Sequence, residues 1–355
     1  MKNTLLTLAV MSVCTGAAHA QSGVVIYGNI DAGIVKESDV SLKIGKRMNN
    51  TLGFKGAEDL GNGLKAIFQL EVRYESDTGT LENGNANGVT VQRPFFQGQS
   101  RVGLQGDFGT VRIGRGLTSF QESAIAFDPF HAIPAPQGFL TDLLVGGNTY
   151  SSDALGLPGN SGNRFSNALF YNSPEMAGFQ VNASVAAREA NGALAVVGRG
   201  SIAAPQYRAG AEPSENPYSV SVTYKNGPAA LMVATERNAI ETTLYSIAAS
   251  IMVSPELKLM AAAAHQDREH TMRNQWTSRS WVLGANYTVG PGRVLAGYGQ
   301  GTTGIQDAGE RKTRQFSIGY EYSLSKRTYL YTDASRKEVG PGKRNIFALG
   351  VNHLF

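Results

Sequence analysis

Phe347-Ala348-Leu349-Gly350-Val351-Asn352-His353-Leu354-Phe355 closes the chain, and its spacing decides the fold. Phe347, Leu349, Val351 and the terminal Phe355 are separated by even intervals, with Ala348, Gly350 and Asn352 between them. Successive side chains of an extended chain point to opposite faces, so this set lies on one side of a strand. The same period recurs upstream. Leu64, Ala66, Phe68, Leu70, Val72 and Tyr74 alternate with Lys65, Ile67, Gln69, Glu71, Arg73 and Glu75. Tyr218, Val220, Val222 and Tyr224 alternate with Ser219, Ser221, Thr223 and Lys225, and Phe316, Ile318, Tyr320 and Tyr322 with Ser317, Gly319 and Glu321. Trp281, Leu283, Ala285, Tyr287 and Val289 form another such face. After residue 20 no apolar run approaches the roughly 18 residues of a spanning helix; Leu257 to Ala264 is the longest. A mature chain that crosses a membrane must therefore do so as a closed barrel, because lipid offers no partner to an open sheet edge.

Composition agrees with strands wet on one side. Of 355 residues 42 are Gly, and charged residues make up only 17%. The formal charge of +4 falls to +3 without Lys2, and no dense basic stripe of a nucleic-acid binder is present. Residues 1–20 read as a secretory signal: Lys2, then apolar Leu5 to Val13, then Ala18-His19-Ala20, which predicts a mature chain beginning at Gln21. Cys14, the single cysteine, lies inside that signal, so the exported domain, 21–355, is held without disulfides. A lipid-anchored cysteine is the rival reading, for which Met11-Ser12-Val13 is a poor lead-in.

The alternation predicts sixteen antiparallel strands: 23–36, 48–59, 63–75, 98–106, 109–117, 163–172, 178–188, 217–226, 229–238, 242–253, 257–268, 277–289, 293–302, 312–323, 327–337 and 343–355. Tight turns such as Gly61-Asn62-Gly63, Asp107-Phe108-Gly109, Asn226-Gly227-Pro228 and Gly290-Pro291-Gly292 alternate with longer polar connections near 76–97, 117–162, 188–216, 268–277, 303–311 and 338–343. Short turns on one rim and long loops on the other are the habit of outer-membrane barrels. Sixteen strands leave an aqueous channel rather than a filled core.

The segments Val25-Ile26-Tyr27-Gly28-Asn29-Ile30-Asp31, Leu52-Gly53-Phe54-Lys55-Gly56-Ala57-Glu58-Asp59-Leu60-Gly61, Val102-Gly103-Leu104-Gln105-Gly106-Asp107-Phe108-Gly109-Thr110-Val111 and Asn167-Ala168-Leu169-Phe170-Tyr171-Asn172-Ser173-Pro174, with the closing Phe355, carry a resemblance over the whole mature chain. It resembles the Gram-negative trimeric porins of β-proteobacteria such as Neisseria, Bordetella and Burkholderia. The resemblance implies an all-β, 16-stranded transmembrane barrel in the outer membrane, with three copies per assembly. It also implies a third long loop, here 117–162, folded into the lumen. Function then follows as passive diffusion of small hydrophilic solutes and ions, with a weak anion preference and no cofactor. Expected partners are outer-membrane lipid, lipopolysaccharide and, through the last strand and Phe355, the barrel-assembly machinery. Strands near the termini are expected to make the trimer contact, with the loop 76–97 as a latch.

The length of the third connection is an independent signal, since a structureless stretch of that size is usually functional or disordered. It carries its own apolar anchors: Phe120, Phe127, Phe130, Phe139, Leu140, Leu143 and Leu144. A narrow eyelet works by charges set across a low-dielectric gap. The acidic candidates on the loop are Glu122 and Asp128, with Asp142 and Asp153 behind them. The basic candidates on the wall are Arg73, Arg101 and Arg112, each placed on the face away from its apolar neighbours, and Arg164, which opens the strand after the loop and, in Arg164-Phe165-Ser166-Asn167, resembles a wall arginine of related porins; Arg115 has no settled side. Related porins often carry basic residues where this chain has Asn29, Thr51 and Gly98, so part of the usual basic wall is missing.

Three other functions are weighed. A substrate-selective channel needs an ordered aromatic path, for which Tyr27, Tyr329 and Tyr331 are the available residues. A barrel-based enzyme needs placed acid and base groups, and His265, Asp267, Glu269 and His270 form the one dense cluster; their odd spacing sends the two histidines to opposite faces of a strand. A secreted adhesin leaves the terminal Phe355 and the loop asymmetry without a reason. The chain is read as a channel and not an enzyme.

Overall fold

A computed structural model describes residues 23–82, 84–86, 89–91, 93–134, 137–145, 163–189, 194–198, 206–209, 212, 215–239, 241–268, 277–305 and 309–355. The signal at 1–20, residues 146–162 of the third connection with Asp153, and Glu269 and His270 lie outside them, as does the side chain of Asp142.

The sixteen alternating stretches become sixteen strands. They are β1 (Gly23–Glu37), β2 (Asn50–Gly61), β3 (Leu64–Tyr74), β4 (Gln99–Gly106), β5 (Gly109–Leu117), β6 (Arg164–Asn172), β7 (Phe179–Ala186) and β8 (Tyr218–Asn226). The second half comprises β9 (Ala229–Arg237), β10 (Thr242–Met252), β11 (Leu257–Arg268), β12 (Thr277–Val289), β13 (Gly292–Ile305), β14 (Gly309–Ser323), β15 (Thr328–Val339) and β16 (Gly342–Leu354). Each pairs antiparallel with the next, and β16 returns to β1 through a register running from Asn29↔Leu354 to Glu37↔Ile346. The final residue completes that seam: Phe355 and Gly28 exchange backbone hydrogen bonds of 3.1 and 3.2 Å. Closure leaves the sheet without an edge, as lipid demands. A short strand, Lys43–Gly45, adds to the end of β1.

The burial pattern is the inverse of a soluble domain. Ile247, Leu283, Phe316 and Leu349 are 58%, 55%, 47% and 49% exposed. Their neighbours Ser246, Ser317 and Ala348 are buried. Apolar side chains thus clothe the outside, and small or polar ones line the inside, which is the arrangement of a barrel in a bilayer. No helix among the described residues is long and apolar enough to cross a membrane, a fact that bears on helices alone.

Two of the expected long connections are corrected. Near 303–311 the strands run on to Ile305 and resume at Gly309. Near 338–343 the register reaches Val339↔Gly342, so only Gly340 and Pro341 join β15 to β16. Gly340 takes φ +56 there, the conformation a two-residue hairpin requires. Polar composition marks both stretches as loops, but charged residues such as Glu310 and Lys343 lie within the strands themselves.

Candidate functional site

The third connection begins as a helix. Thr118 caps α1 (Ser119–Ala124), its side chain accepting from the Gln121 N–H at 3.3 Å. The helix is tied to serines of the wall. The Phe120 N–H donates to Ser219 Oγ at 2.9 Å, the Ser119 N–H to Ser184 Oγ at 3.2 Å, and Ser123 Oγ lies 2.8 Å from Ser221 Oγ. These serines alternate along their strands with the outward apolar residues, so the helix sits on the polar face of the sheet.

Beyond it Phe120, Phe127, Phe130, Phe139, Leu140, Leu143 and Leu144 join one buried cluster with the wall residues Met232, Leu244, Ala262, Val282 and Leu295. The wall has been emptied to receive them. A Cβ at Gly284 would lie 2.5 Å from Pro129 Cγ, one at Gly297 2.4 Å from Phe139 Cε2, and one at Gly299 2.5 Å from Leu143 Cδ1. Gln315 Nε2 donates to Gly138 O at 2.9 Å and Lys258 Nζ to Ala126 O at 2.9 Å, fixing the far end. Sequence reading found the apolar anchors of this connection but missed the glycine lane. The run Gly297-Tyr298-Gly299-Gln300-Gly301 leaves every second position without a side chain, and that was its signal.

The six charged candidates are placed very differently. Glu122, 32% exposed at its side chain, reaches two arginines at once: Arg101 at 3.7 Å and Arg112 at 3.4 Å. Arg101 also donates through Nε and Nη2 to Gln69 Oε1 at 3.2 and 3.0 Å, and Arg112 contacts Asn172 Oδ1. Acid and base therefore touch instead of facing each other across the gap that the sequence suggested. A cavity of about 460 Å³ adjoins them, lined by Lys55, Gln69, Arg101 and Arg112 among others. Arg73 lies 3.9 Å from Glu71, whose other oxygen accepts from Tyr27 OH at 3.2 Å.

Arg164 is only 5% exposed and donates to Gly98 O and Asn163 Oδ1, both at 2.6 Å. A Cβ at Gly98 would fall 2.2 Å from Glu71 Oε1, so any side chain there would have to displace Glu71. Arg115 is buried too: a bulge between Gly114 and Gly116, with Gly114 at φ +129, turns it to bond Gln97 O at 3.1 Å and Ser166 Oγ at 2.7 Å.

Asp128 departs furthest from its expected place. It is 1% exposed and accepts the N–H groups of Phe130, Phe139 and Leu140 at 2.8, 3.0 and 2.8 Å. It ties the connection to itself instead of facing an aqueous passage. Burial pushes its carboxyl up, with the backbone donors pulling the other way.

Sequence reading also missed Arg47, in the connection between β1 and β2. Its side chain is wholly buried, Nη1 donating to Asp333 at 3.2 Å and Nη2 to Glu321 at 2.6 Å, with its Cζ 4.1 Å from the Tyr331 ring centroid. Its backbone N–H donates to Asp31 at 2.7 Å, and Tyr331 OH donates to the same carboxylate at 2.7 Å. Tyr329 OH accepts from Arg47 at 3.3 Å. Tyr27 is thus engaged with Glu71, while Tyr329 and Tyr331 pack together beside Arg47. Of the histidine cluster, His265 sits opposite Arg279 in the β11–β12 register.

His131, near the tip of the connection, has its imidazole lowered to about 4 by burial, then by Arg293, Lys258 and Arg47, with Glu321 opposing. A base depressed from 6.5 stays neutral while docked. Below about pH 6.5 the undocked form takes up a proton that the docked form refuses, so docking loses stability as pH falls toward about 4. Cleavage of the connection by proteinase K, normalised to the protease's activity on an unfolded substrate at each pH, should rise between pH 7 and pH 5. His131→Asn, which tolerates the residue's φ of +53, should flatten that rise. An unchanged pH profile in the variant would remove His131 as its cause.

A closed barrel, apolar outside and polar within, with a charged group beside an inner cavity, defines a membrane channel. Comparison with known proteins places it further. The Gram-negative porin family matches residues 7–340, and the chain belongs to that family. The chain is 30% identical to outer membrane porin protein 32 of Delftia acidovorans over 99% of this chain and 95% of that one. It is 26% identical to an outer membrane porin protein of Bordetella pertussis over the full length of both. Among solved structures it is similar to the anion-selective porin from Comamonas acidovorans, with a TM-score of 0.71 at 24% identity over 94% of this chain and 100% of that one. The protein is an outer-membrane porin, a water-filled channel through which small hydrophilic solutes diffuse passively.

Proposed function

We propose that this porin is a general diffusion channel with a weak preference for anions, narrowed by the third connection lying within the lumen. One observation carries the reading: residues 118–134 and 137–145 pack on the polar face of the wall and deliver Glu122 to Arg101 and Arg112. Two guanidiniums against one carboxylate leave that group net positive. Lys55 beside it, with Lys258 near the tip of the connection, adds to the same sign, while Arg293 there is paired with Glu321. The fold neighbour from Comamonas is described as anion-selective, which agrees in direction. Arg101 and Arg112 stand in for the basic residues absent at Asn29, Thr51 and Gly98, while Arg73 and Arg164 brace the wall. No catalytic step enters this account.

The working unit in this proposal is a homotrimer, the form in which a solved Vibrio cholerae neighbour is described. Residues 1–20 are removed on export. The strand ending in Phe355 is offered to the assembly machinery, and outer-membrane lipid with lipopolysaccharide surrounds the rest.

Two measurements test this. Proteoliposomes should swell in sugars of graded size with rates that fall smoothly with solute size. A single favoured sugar departing from that trend would point to a substrate-selective channel instead. Glu122→Gln should raise chloride preference: the Arg101, Arg112 and Glu122 charges sum to +1 now and to +2 without the acid, worth several-fold in permeability ratio at an effective dielectric of about 40. A zero-current potential that stays put, or moves toward the cation, would take Glu122 out of the passage.

A further inference from the structure

The inner wall beside the Arg101, Arg112 and Glu122 group is not uniformly polar. Two register rows cross it. In the first, Val25, Lys55, Gln69 and Arg101 are successive cross-strand partners on β1, β2, β3 and β4. In the second, two residues nearer the short turns, Gly23, Ala57, Ile67 and Gly103 are partners, and Gly103 pairs with Arg112 on β5. Cross-strand partners share a face, and so do residues two apart on a strand. Gln69 accepts from Arg101, which reaches Glu122 of the third connection, so both rows face the lumen.

Apolar side chains stand open in these rows. Val25 is 49% exposed, Ala57 is exposed and Ile67 is half-buried. Elsewhere on the inner face Met232, Leu244, Val282 and Leu295 are covered by the third connection. Val25, Ala57 and Ile67 lie outside that cluster and line the same cavity of about 460 Å³ that Lys55, Arg101 and Arg112 border. That volume falls in the range of small-ligand sites, roughly 300–1,000 Å³, where an apolar lining is joined by a few convergent polar groups.

The charge on this cavity has one sign. Lys55 is exposed, and among the described residues no carboxylate pairs with it; its Nζ stands 5.2 Å from the Tyr27 ring centroid. Lys55, Arg101 and Arg112 against the single Glu122 leave a net positive group. A bare inorganic anion is drawn to these donors but gains nothing from the apolar floor. An uncharged hydrocarbon leaves the cations unmet. A molecule with an anionic end and a compact hydrocarbon body satisfies both.

We propose that this cavity is a transient binding subsite for small amphipathic carboxylates, acids with one anionic end and a flat or branched hydrocarbon body. The carboxylate meets Lys55 and the two guanidiniums, and the body lies over Val25, Ala57 and Ile67. Binding is weak, because a solute that cannot leave blocks the passage it uses. The proposal rests on the diffusion-channel reading with its anion preference and names a solute class within it.

The test records potassium chloride current through the purified, folded protein in planar bilayers near neutral pH, with sodium benzoate, sodium acetate and benzyl alcohol as probes at matched ionic strength. Benzoate should lower the current with a half-effect in the millimolar range. Acetate should need about tenfold more, since covering roughly 60 Å² of apolar surface is worth about tenfold. Benzyl alcohol at the benzoate concentration should leave the current unchanged. The double variant Val25→Thr, Ile67→Thr should raise the half-effect concentration of benzoate about tenfold and leave that of acetate where it was, because each buried methyl or methylene lost is worth about fourfold. Lys55→Gln should raise both several-fold at low salt. Benzoate and acetate acting at the same concentration would overturn the subsite, and so would a benzoate response unaltered in the double variant; the first comparison needs no variant to fold. Chloride-preferring current that benzoate does not touch would sink the subsite alone, whereas protein passing no current would sink the diffusion reading beneath it.

Discussion

Replacing Arg47 with methionine should lower the melting temperature of the folded barrel and shift its permeability toward cations. The guanidinium is fully buried between Asp333 and Glu321, and its backbone anchors Asp31. Removing one partner of a buried ion pair leaves the other charge uncompensated, at a cost of about 3–5 kcal/mol. Arg293, which also pairs with Glu321, softens the loss on that side and leaves Asp333 the most affected. Gly319 has room for no side chain because Asp333 Oδ1 lies 2.2 Å from its would-be Cβ, with Phe130 of the third connection at 3.1 Å. Asp333 and Phe130 both border Gly319, so the Arg47 network and the tip of that connection are neighbours. The double variant Arg47→Met, Asp333→Asn should recover part of the lost stability, because it removes the stranded charge. Heat-dependent mobility and zero-current potential are the two readouts. A single variant as stable and as anion-preferring as wild type would mean that this network carries no weight.

The double variant Arg101→Gln, Arg112→Gln should invert the ion preference. With Glu122 the three charges sum to +1 in the wild type and to −1 in the variant. A unit charge about 6 Å from a permeating ion, at an effective dielectric of about 40, is worth roughly 1.4 kcal/mol, or tenfold in local ion concentration. Two such changes should lower the chloride-to-potassium permeability ratio by tenfold or more at low salt, and by less as salt screens the wall. Arg164→Gln should do far less to this ratio, since its guanidinium is spent on Gly98 O and Asn163. Equal shifts from Arg101/Arg112 and Arg164 would mean that selectivity follows total charge and not this group.

The strands were legible because a period of two is a local signal. Each of the sixteen stretches keeps an apolar face that any reader can count, as Phe316, Ile318 and Tyr322 do on β14. What stayed hidden depends on contacts between distant positions. Arg47 meets partners 274 and 286 residues away, and nothing in Lys46-Arg47-Met48 announces them. Asp128 was expected to face the passage, yet its acceptors are used by N–H groups two, eleven and twelve residues on. A lone loop carboxylate reads the same in sequence whether it meets water or its own backbone. Glu122 was read on the connection and Arg101 and Arg112 on the wall, but that they touch follows only from where α1 docks. The glycines at 284, 297 and 299 held the missing information, and they become readable once β12 and β13 are known to line that docking site.

Planar-bilayer recording of the purified, folded protein tests the central claim most directly. The account predicts stepwise, ohmic conductance in simple salt, with a zero-current potential on the chloride side in a potassium chloride gradient. Folded, heat-modifiable protein that inserts and yet passes no current would contradict it.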